Sequence, residues 1–366
     1  MTDESLKCIG CGASIQTVDK NQRGYTPQSA YEAGLETGEL YCQRCFKLRH
    51  YNELQGVTMS HDDFLTILNS ISDEDALVVN VVDLFDISGS LIPGLKRFVG
   101  DNEVLLVANK LDLLPSSVKE SRLKHWVKTY ARSQGLVVEE VLLTSGQTLY
   151  HVDELLEAIE ERRQGRNVYV VGVSNVGKST LINSILKATG IAGDLITTSV
   201  FPGTTLDLVE IPFDERSYLI DTPGIMEDGQ LTSQLSAEGL KQVMPKKRVK
   251  ARTYQVNPEQ SFFIGGLVQV DYLAGDRNSF TFYLSNALKI HRRKLEGAQA
   301  FYDDHVGELL TPSLPEEVGR VRREFQLQAG QDLVISGLGW LTVSEDAQVA
   351  VYSPKGIDVL VREALI

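Results

Sequence analysis

Residues 172–180 read GVSNVGKST, from Gly172 to Thr180. The spacing Gly172-x-x-x-x-Gly177-Lys178-Ser179 is that of a phosphate-binding loop. It falls where such a loop must, between the apolar run NVYVV and the helical pattern KSTLINSILKA. Glycines let backbone N–H groups curl around phosphate oxygens, the lysine reaches the β- and γ-phosphates, and the hydroxyl ligates magnesium. Gly172, Asn175, Val176, Gly177, Lys178, Ser179 and Thr180 are therefore candidate nucleotide-binding residues, with Lys178 the candidate for stabilising transferred charge. The bland alternative is a glycine-rich turn that merely opens a helix, and the strand-loop-helix context weighs against it.

Upstream, NKLD (Asn109 to Asp112) ends the apolar run EVLLVANK. A carboxylate there accepts both the ring N–H and the exocyclic amino group of guanine. Adenine presents no such donor pair, and buried groups left unpaired are costly, so Asp112 reads as a discriminator and Asn109 as its companion at the base. The alternative is a helix N-terminus capped by Asp112. DTPG (Asp221 to Gly224) follows SYLI and suits a carboxylate holding magnesium through water, with the Gly224 N–H facing the γ-phosphate. FPGTT offers Thr204 and Thr205 as a further magnesium ligand, Thr205 being preferred. Together these elements imply a site for GTP or GDP with Mg2+, and the base reader precedes the phosphate loop.

The 366 residues, 42% hydrophobic with 11 prolines, are enough for two or three folded domains. No stretch approaches the roughly 18 apolar residues that span a bilayer, and MTDESLKC lacks the apolar core of a signal peptide, so a cytoplasmic protein without a membrane partner is expected. A net charge of -13 argues against a protein that coats nucleic acid over its whole surface, and no DNA partner is expected. RNA contact must be local. Lys241, Lys246, Lys247, Arg248, Lys250 and Arg252 form one basic segment and His291 to Lys294 another, each equally readable as a solvated surface.

All four cysteines lie in the first 45 residues, as CIGC (Cys8, Cys11) and CQRC (Cys42, Cys45). Two C-x-x-C pairs supply four thiolates at the spacing a structural, tetrahedral Zn2+ requires, with the intervening chain able to form a small hairpin. Two redox pairs are the lesser alternative. His50 and His61 read as ordinary surface residues beside a completed sphere.

Beyond the cysteines, Ser60–Ser72 reads as a capped helix, and Ala76–Asp83 and Glu103–Lys110 read as buried parallel strands. Helix over Val118–Ser133, strand over Leu136–Ser145 and helix over His151–Arg163 continue an alternation that runs to about residue 225, the pattern of a doubly wound α/β domain. From Val268 onward the alternation in LVQVDYL, SFTFYLS, QDLVISGL and QVAVYSP predicts a β-rich or α+β domain, with helix around Leu288–Tyr302. The expected division is a zinc module over 1–55, an α/β nucleotide domain over 56–228, and a carboxy-terminal RNA- or protein-interaction domain over 229–366.

The motif order resembles that of circularly permuted GTPases. More narrowly, YCQRCFKLRHYNE, DLFDISGS, GVSNVGKSTLIN and TTSVFPGTTLDLVEIP together resemble the YqeH family of ribosome-biogenesis GTPases over nearly the whole chain. The resemblance implies a circularly permuted P-loop GTPase domain and GTP hydrolysis coupled to assembly of the small ribosomal subunit. It also implies that Lys110 packs along the base plane, that Ser145 in TSGQ backs the guanine with Gly146 replacing the usual alanine, and that Asn175 helps hold K+. Ile225 stands where Ras-type GTPases carry a water-orienting glutamine, so hydrolysis is expected to be slow in isolation. Catalytic roles then fall to Lys178, Asn175, Gly224 and Thr205, in a protein expected to be monomeric. The alternative is a nucleotide-gated RNA- or protein-binding module whose hydrolysis is incidental.

Overall fold

A computed structural model describes residues 6–8, 13–19, 22, 24–37, 40–43, 46, 58–59, 61–189, 197–200, 207–225 and 229–366. The described chain divides into two compact units. The first comprises Met1–Asp83, Ile92–Lys110 and Lys128–Met226, and the second Leu84–Leu91, Leu111–Val127 and Glu227–Ile366.

The elements before the phosphate loop are α1 (Gln28–Thr37), β1 (Thr58–Met59), α2 (His61–Ile71), β2 (Ala76–Asp83), β3 (Glu103–Asn109), α3 (Glu120–Ser133), β4 (Val141–Leu143), α4 (Val152–Arg163) and β5 (Asn167–Val171). After it come α5 (Lys178–Thr189), β6 (Thr197–Val200), β7 (Asp207–Pro212), β8 (Tyr218–Asp221) and β9 (Gly224–Ile225). Seven strands form one sheet in the order β4-β3-β2-β5-β8-β7-β6. The pairs from β4 through to β8 are parallel, and β7 and β6 add antiparallel pairs at one side. All eight residues of β2 are buried, which explains an apolar run with no alternation.

Strand order reverses between β2 and β5: from β2 the chain steps outward through β3 to β4, then returns to β5 and steps the other way to β8. Open α/β sheets bind ligands at the carboxyl ends of the strands at such a reversal. Asp83, Asn109 and Asp221 end β2, β3 and β8, and the phosphate loop follows β5.

In the second unit, α6 (Ala237–Val243) precedes β10 (Arg252–Val256), β11 (Gln260–Ile264), β12 (Val268–Gly275), β13 (Asn278–Leu284), β14 (Ile290–Lys294) and α7 (Ala298–His305). They are followed by β15 (Arg320–Leu327), β16 (Gln331–Ile335), β17 (Gly339–Val343), β18 (Ala347–Pro354) and β19 (Val359–Glu363). These strands make two antiparallel five-stranded sheets, β10-β13-β17-β16-β19 and β14-β11-β12-β18-β15. Phe280, Phe282 and Leu341 of the first share a buried core with Phe262, Val270 and Val351 of the second. A polar pin crosses this unit. Arg362 pairs with the fully buried Asp332 (3.3 Å), donates to Ser88 Oγ (2.9 Å), and lies between the rings of Trp126 and Trp340. Burial pushes the Asp332 carboxyl above its ordinary value. The Gly337 N–H donates to Asp86 Oδ2 at 3.0 Å, so part of DLFDISGS folds with this unit.

Several expectations are corrected. The helix read over Leu288–Tyr302 is confined to α7, because Ile290–Lys294 pairs antiparallel with β11 from Gln260 opposite Lys294 to Ile264 opposite Ile290. A strand edge offers main-chain partners that local propensity does not register, and the exposed Arg292, Arg293 and Lys294 suit such an edge. The strand read over Leu136–Ser145 is limited to β4, although Leu136 and Val138 are buried beside it. Between the cysteine pairs the chain carries α1 rather than only a hairpin. Arg252 is not part of a free basic surface: it donates to the carbonyls of Leu288 and Ser285, and burial lowers its pKa. Among the described residues no helix is long and apolar enough to cross a membrane.

Candidate nucleotide site

The loop between β5 and α5 has the local conformation its sequence requires. Gly177 has φ +92°, and a Cβ there would stand 2.5 Å from the Asn109 amide nitrogen, so only glycine fits. Asn175 also lies in the left-handed region, at φ +66°, and its side chain is exposed. Val176 is buried, Ser179 half-buried and Thr180 exposed. Ser174 Oγ is buried without a hydrogen bond among the described residues, the kind of orphan that a ligand oxygen satisfies.

Lys178 opens α5, and its ammonium turns back into the loop, donating to the carbonyls of Gly172 (2.6 Å) and Val173 (3.2 Å). Burial lowers its pKa from 10.5 to about 8, with Asp221 acting in the opposite direction. Gly224 lies against the same loop: a Cβ there would be 2.7 Å from Lys178 Nζ and 3.1 Å from Ser174 N. Gly224 and Ile225 also pair in parallel with Thr58 and Met59, which places DTPG between the phosphate loop and the segment following the cysteine pairs.

The base-reading motif is fastened to this loop. Asn109 Nδ2 donates to the Val176 carbonyl at 2.9 Å, while its Oδ1 accepts the Gly146 N–H at 3.1 Å and the Thr144 hydroxyl at 3.4 Å. Lys110, at φ +68°, pairs with Asp83 Oδ2 at 2.7 Å and donates to the Asn175 carbonyl. Ser145 is fully buried and accepts the Thr148 N–H at 3.2 Å. The glycine at 146 has a physical reason, since a Cβ there would lie 3.0 Å from Leu181 Cα and N. Alanine would push α5 outward.

Asn109, Lys110, Ser145, the phosphate loop, Asp221 and Gly224 thus belong to one unit, whereas Asp112 lies on a 3-10 turn, Leu111–Leu113, that clusters with the second. In that unit the Leu113 carbonyl accepts the Val249 N–H at 2.8 Å. Thr204 and Thr205 lie outside the described residues, as do Cys11 and Cys45. Cys8 and Cys42 are buried against one another, and the Cys42 N–H donates to Cys8 Sγ at 3.2 Å. Among the described residues there is no group of three or more His, Cys, Asp or Glu able to hold a metal ion. Asp83, Thr144, Ser174 and the N–H of Gly146 were given no role by the sequence reading. The available signal for Asp83 was its place at the end of a buried strand, the same place Asn109 occupies on the neighbouring strand.

Residues 167–260 match the family model described as 50S ribosome-binding GTPase, and residues 277–365 match the model described as YqeH-like, C-terminal. A phosphate loop of this form within a matching domain defines a P-loop GTPase. The chain is 48% identical to the Bacillus subtilis "Uncharacterized protein YqeH", covering 99% of this chain and 100% of that protein. It is 30% identical to the Arabidopsis thaliana "NO-associated protein 1, chloroplastic/mitochondrial", over 100% of this chain and 77% of that one. A shorter match, 35% identical over 34% of this chain and 28% of the relative, is to GTPase Der of Aquifex aeolicus. The chain belongs to the YqeH family.

The buried ammonium gives a signed pH dependence. Lys178 has a pKa of about 8 in the folded chain against 10.5 unperturbed, so between these values the unfolded chain holds a proton that the folded chain has released. Ligand-free stability attributable to this group therefore rises with pH across that window and is flat below it. Denaturant unfolding of the wild type and Lys178→Met between pH 7 and 10 measures it. The wild type is expected to gain on the variant above about pH 8, and a difference independent of pH contradicts the shift.

Proposed function

We propose that the chain is a slow guanine-nucleotide switch acting in ribosome biogenesis, at small-subunit assembly. The observation that carries this is the Asn109 side chain, which joins the base-reading strand to the phosphate loop and to the Gly146 amide at 2.9 and 3.1 Å. Lys178, Ser179, Thr205, Asp221 and Gly224 would surround phosphate and magnesium. Asn109, Lys110, Asp112 and Ser145 would surround guanine. GTP binding and hydrolysis follow from the matched GTPase domain. The chemistry needs no protein nucleophile, only positioning and stabilisation of charge on the transferred phosphoryl group. Ser179, Thr205 and Asp221 would hold magnesium, which would supply neutralisation of phosphate charge; the chain's own part is to hold the buried Lys178 ammonium in the loop and to present the Gly224 amide.

The motif order, with the strand that opens the base reader ahead of the phosphate loop and parallel to the strand that precedes that loop, supports a circularly permuted GTPase domain. Permutation leaves such a site intact because chain ends can be moved to an exposed loop while the packed sheet remains. The small subunit is favoured by the YqeH resemblance, while the matched domain's description names the 50S subunit. RNA or protein contact falls to the carboxy-terminal domain, and the protein is read as cytoplasmic and monomeric, with no DNA or membrane partner.

The exposed Asn175 amide, on a residue whose carbonyl is held by Lys110, supports a K+ site beside the phosphates. Single-turnover GTP hydrolysis in potassium and in sodium, alone and with purified small or large ribosomal subunits, tests the switch. Faster turnover in potassium, abolished by Asn175→Ala, and further acceleration by small subunits are expected. Equal rates in both salts refute the cation site. Acceleration by large subunits alone refutes the assembly step, and none by either favours a binding module with incidental hydrolysis.

The paired Cys8 and Cys42, with an N–H directed at sulfur, support a structural zinc site completed by Cys11 and Cys45. Four protein ligands would close the coordination sphere and leave zinc no catalytic position. Metal analysis of the purified protein is expected to give one zinc per chain, lost in Cys42→Ser; a folded wild type free of zinc contradicts the site.

A further inference from the structure

We propose that Asp83 is a positioning residue for guanine-nucleotide binding, acting through Lys110. Asp83 ends β2 opposite Asn109, the first residue of the base-reading motif, in the parallel β2–β3 register. Its side chain is 12% exposed and that of Lys110 20%, and the two are joined at 2.7 Å. The same ammonium donates to the Asn175 carbonyl, so one lysine links the end of β2 to the phosphate loop.

The geometry is demanding at both ends. Lys110 and Asn175 both occupy the left-handed region, at φ +68° and +66°, where non-glycine residues are held only by their surroundings. A lysine stem has much rotamer freedom to lose, and a buried carboxylate removes that freedom before any nucleotide arrives. With Lys110 fixed, its methylene stem is ready to flank a purine ring and the phosphate loop is braced at Asn175. Without Asp83 the ammonium would lose its charged partner and keep, among the described residues, the neutral Asn175 carbonyl, and the stem would be free to swing toward solvent. The sheet order also separates Asp83 from a magnesium role. It ends the strand on one side of β5, whereas Asp221 ends the strand on the other.

This inference rests on the nucleotide reading above, and its test separates the two. Full-length wild type, Asp83→Asn, Asp83→Glu, Lys110→Gln and the Asp83→Asn/Lys110→Gln double variant are compared for binding of fluorescent GDP, competition by GDP and IDP, steady-state KM and kcat for GTP, and thermal unfolding. Asp83→Asn is expected to weaken GDP about tenfold and raise KM in parallel, with kcat changed less than about twofold and the GDP-to-IDP ratio unchanged. The double variant is expected to bind no more weakly than Lys110→Gln alone, and Asp83→Glu to recover part of the loss. If Asp83→Asn does not fold, the same cycle is read with Asp83→Glu, whose smaller loss must vanish in the Lys110→Gln background. Additive losses, a fall in kcat at unchanged KM, or wild-type affinity in Asp83→Asn overturns the proposal. A wild type that binds no guanine nucleotide overturns the nucleotide reading instead.

Discussion

The site hangs on one side-chain amide. Asn109 gives a hydrogen to the phosphate loop at Val176 and takes one from Gly146, so three stretches far apart in sequence are tied at a single buried group that is 2% exposed. A buried amide that loses its partners costs on the order of 1–3 kcal/mol, a large share of ordinary domain stability, so the three stretches are held together or the amide is exposed to that penalty. The close approach of Gly177 and the missing Cβ at Gly146 follow from it, since both glycines stand where the chain presses against this junction or against α5.

That constraint is spatial and indifferent to chain order. The strands carrying Asp83, Asn109, the phosphate loop and Asp221 lie side by side with their carboxyl ends at one edge of the sheet, and the parallel registers fix their relative heights. Once those heights are set, which strand the ribosome makes first has no bearing on the site. The reversed motif order is therefore compatible with an ordinary guanine pocket. The buried Lys178 fits the same picture: its ammonium is held by loop carbonyls, at the cost of a lowered pKa, in the place where phosphate charge would restore its preference for the proton.

Much of this was legible because buried parallel strands announce themselves. ALVVNVVD and EVLLVAN are mostly apolar runs that end at Asp83 and Asn109, and NVYVV is a mostly apolar run that leads straight into the phosphate loop. Legibility failed where exposure or a partner decided the outcome. β15, RVRREFQL, alternates half-buried and exposed residues on a strand at the sheet edge, so its charged side chains hid it, and IHRRK became a strand only because β11 lay free beside it. Asp83 was missed because its place at the end of a buried strand assigns it no role until the Lys110 ammonium is placed against it. Gly146 looked like a departure from the family pattern until the approach of Leu181 gave it a reason. The turn bearing Asp112 clusters with the carboxy-terminal unit, which no motif spacing could disclose.

In the proposed switch, base selection falls to the carboxylate at position 112. The direct measurement is competition among GTP, XTP and ATP for the wild type and Asp112→Asn. The wild type should favour GTP strongly over both, and the variant, whose amide can donate to the xanthine carbonyl where the carboxylate could only accept, should exchange that preference for XTP. A wild type that takes ATP as readily as GTP, or a variant that still selects GTP, contradicts it.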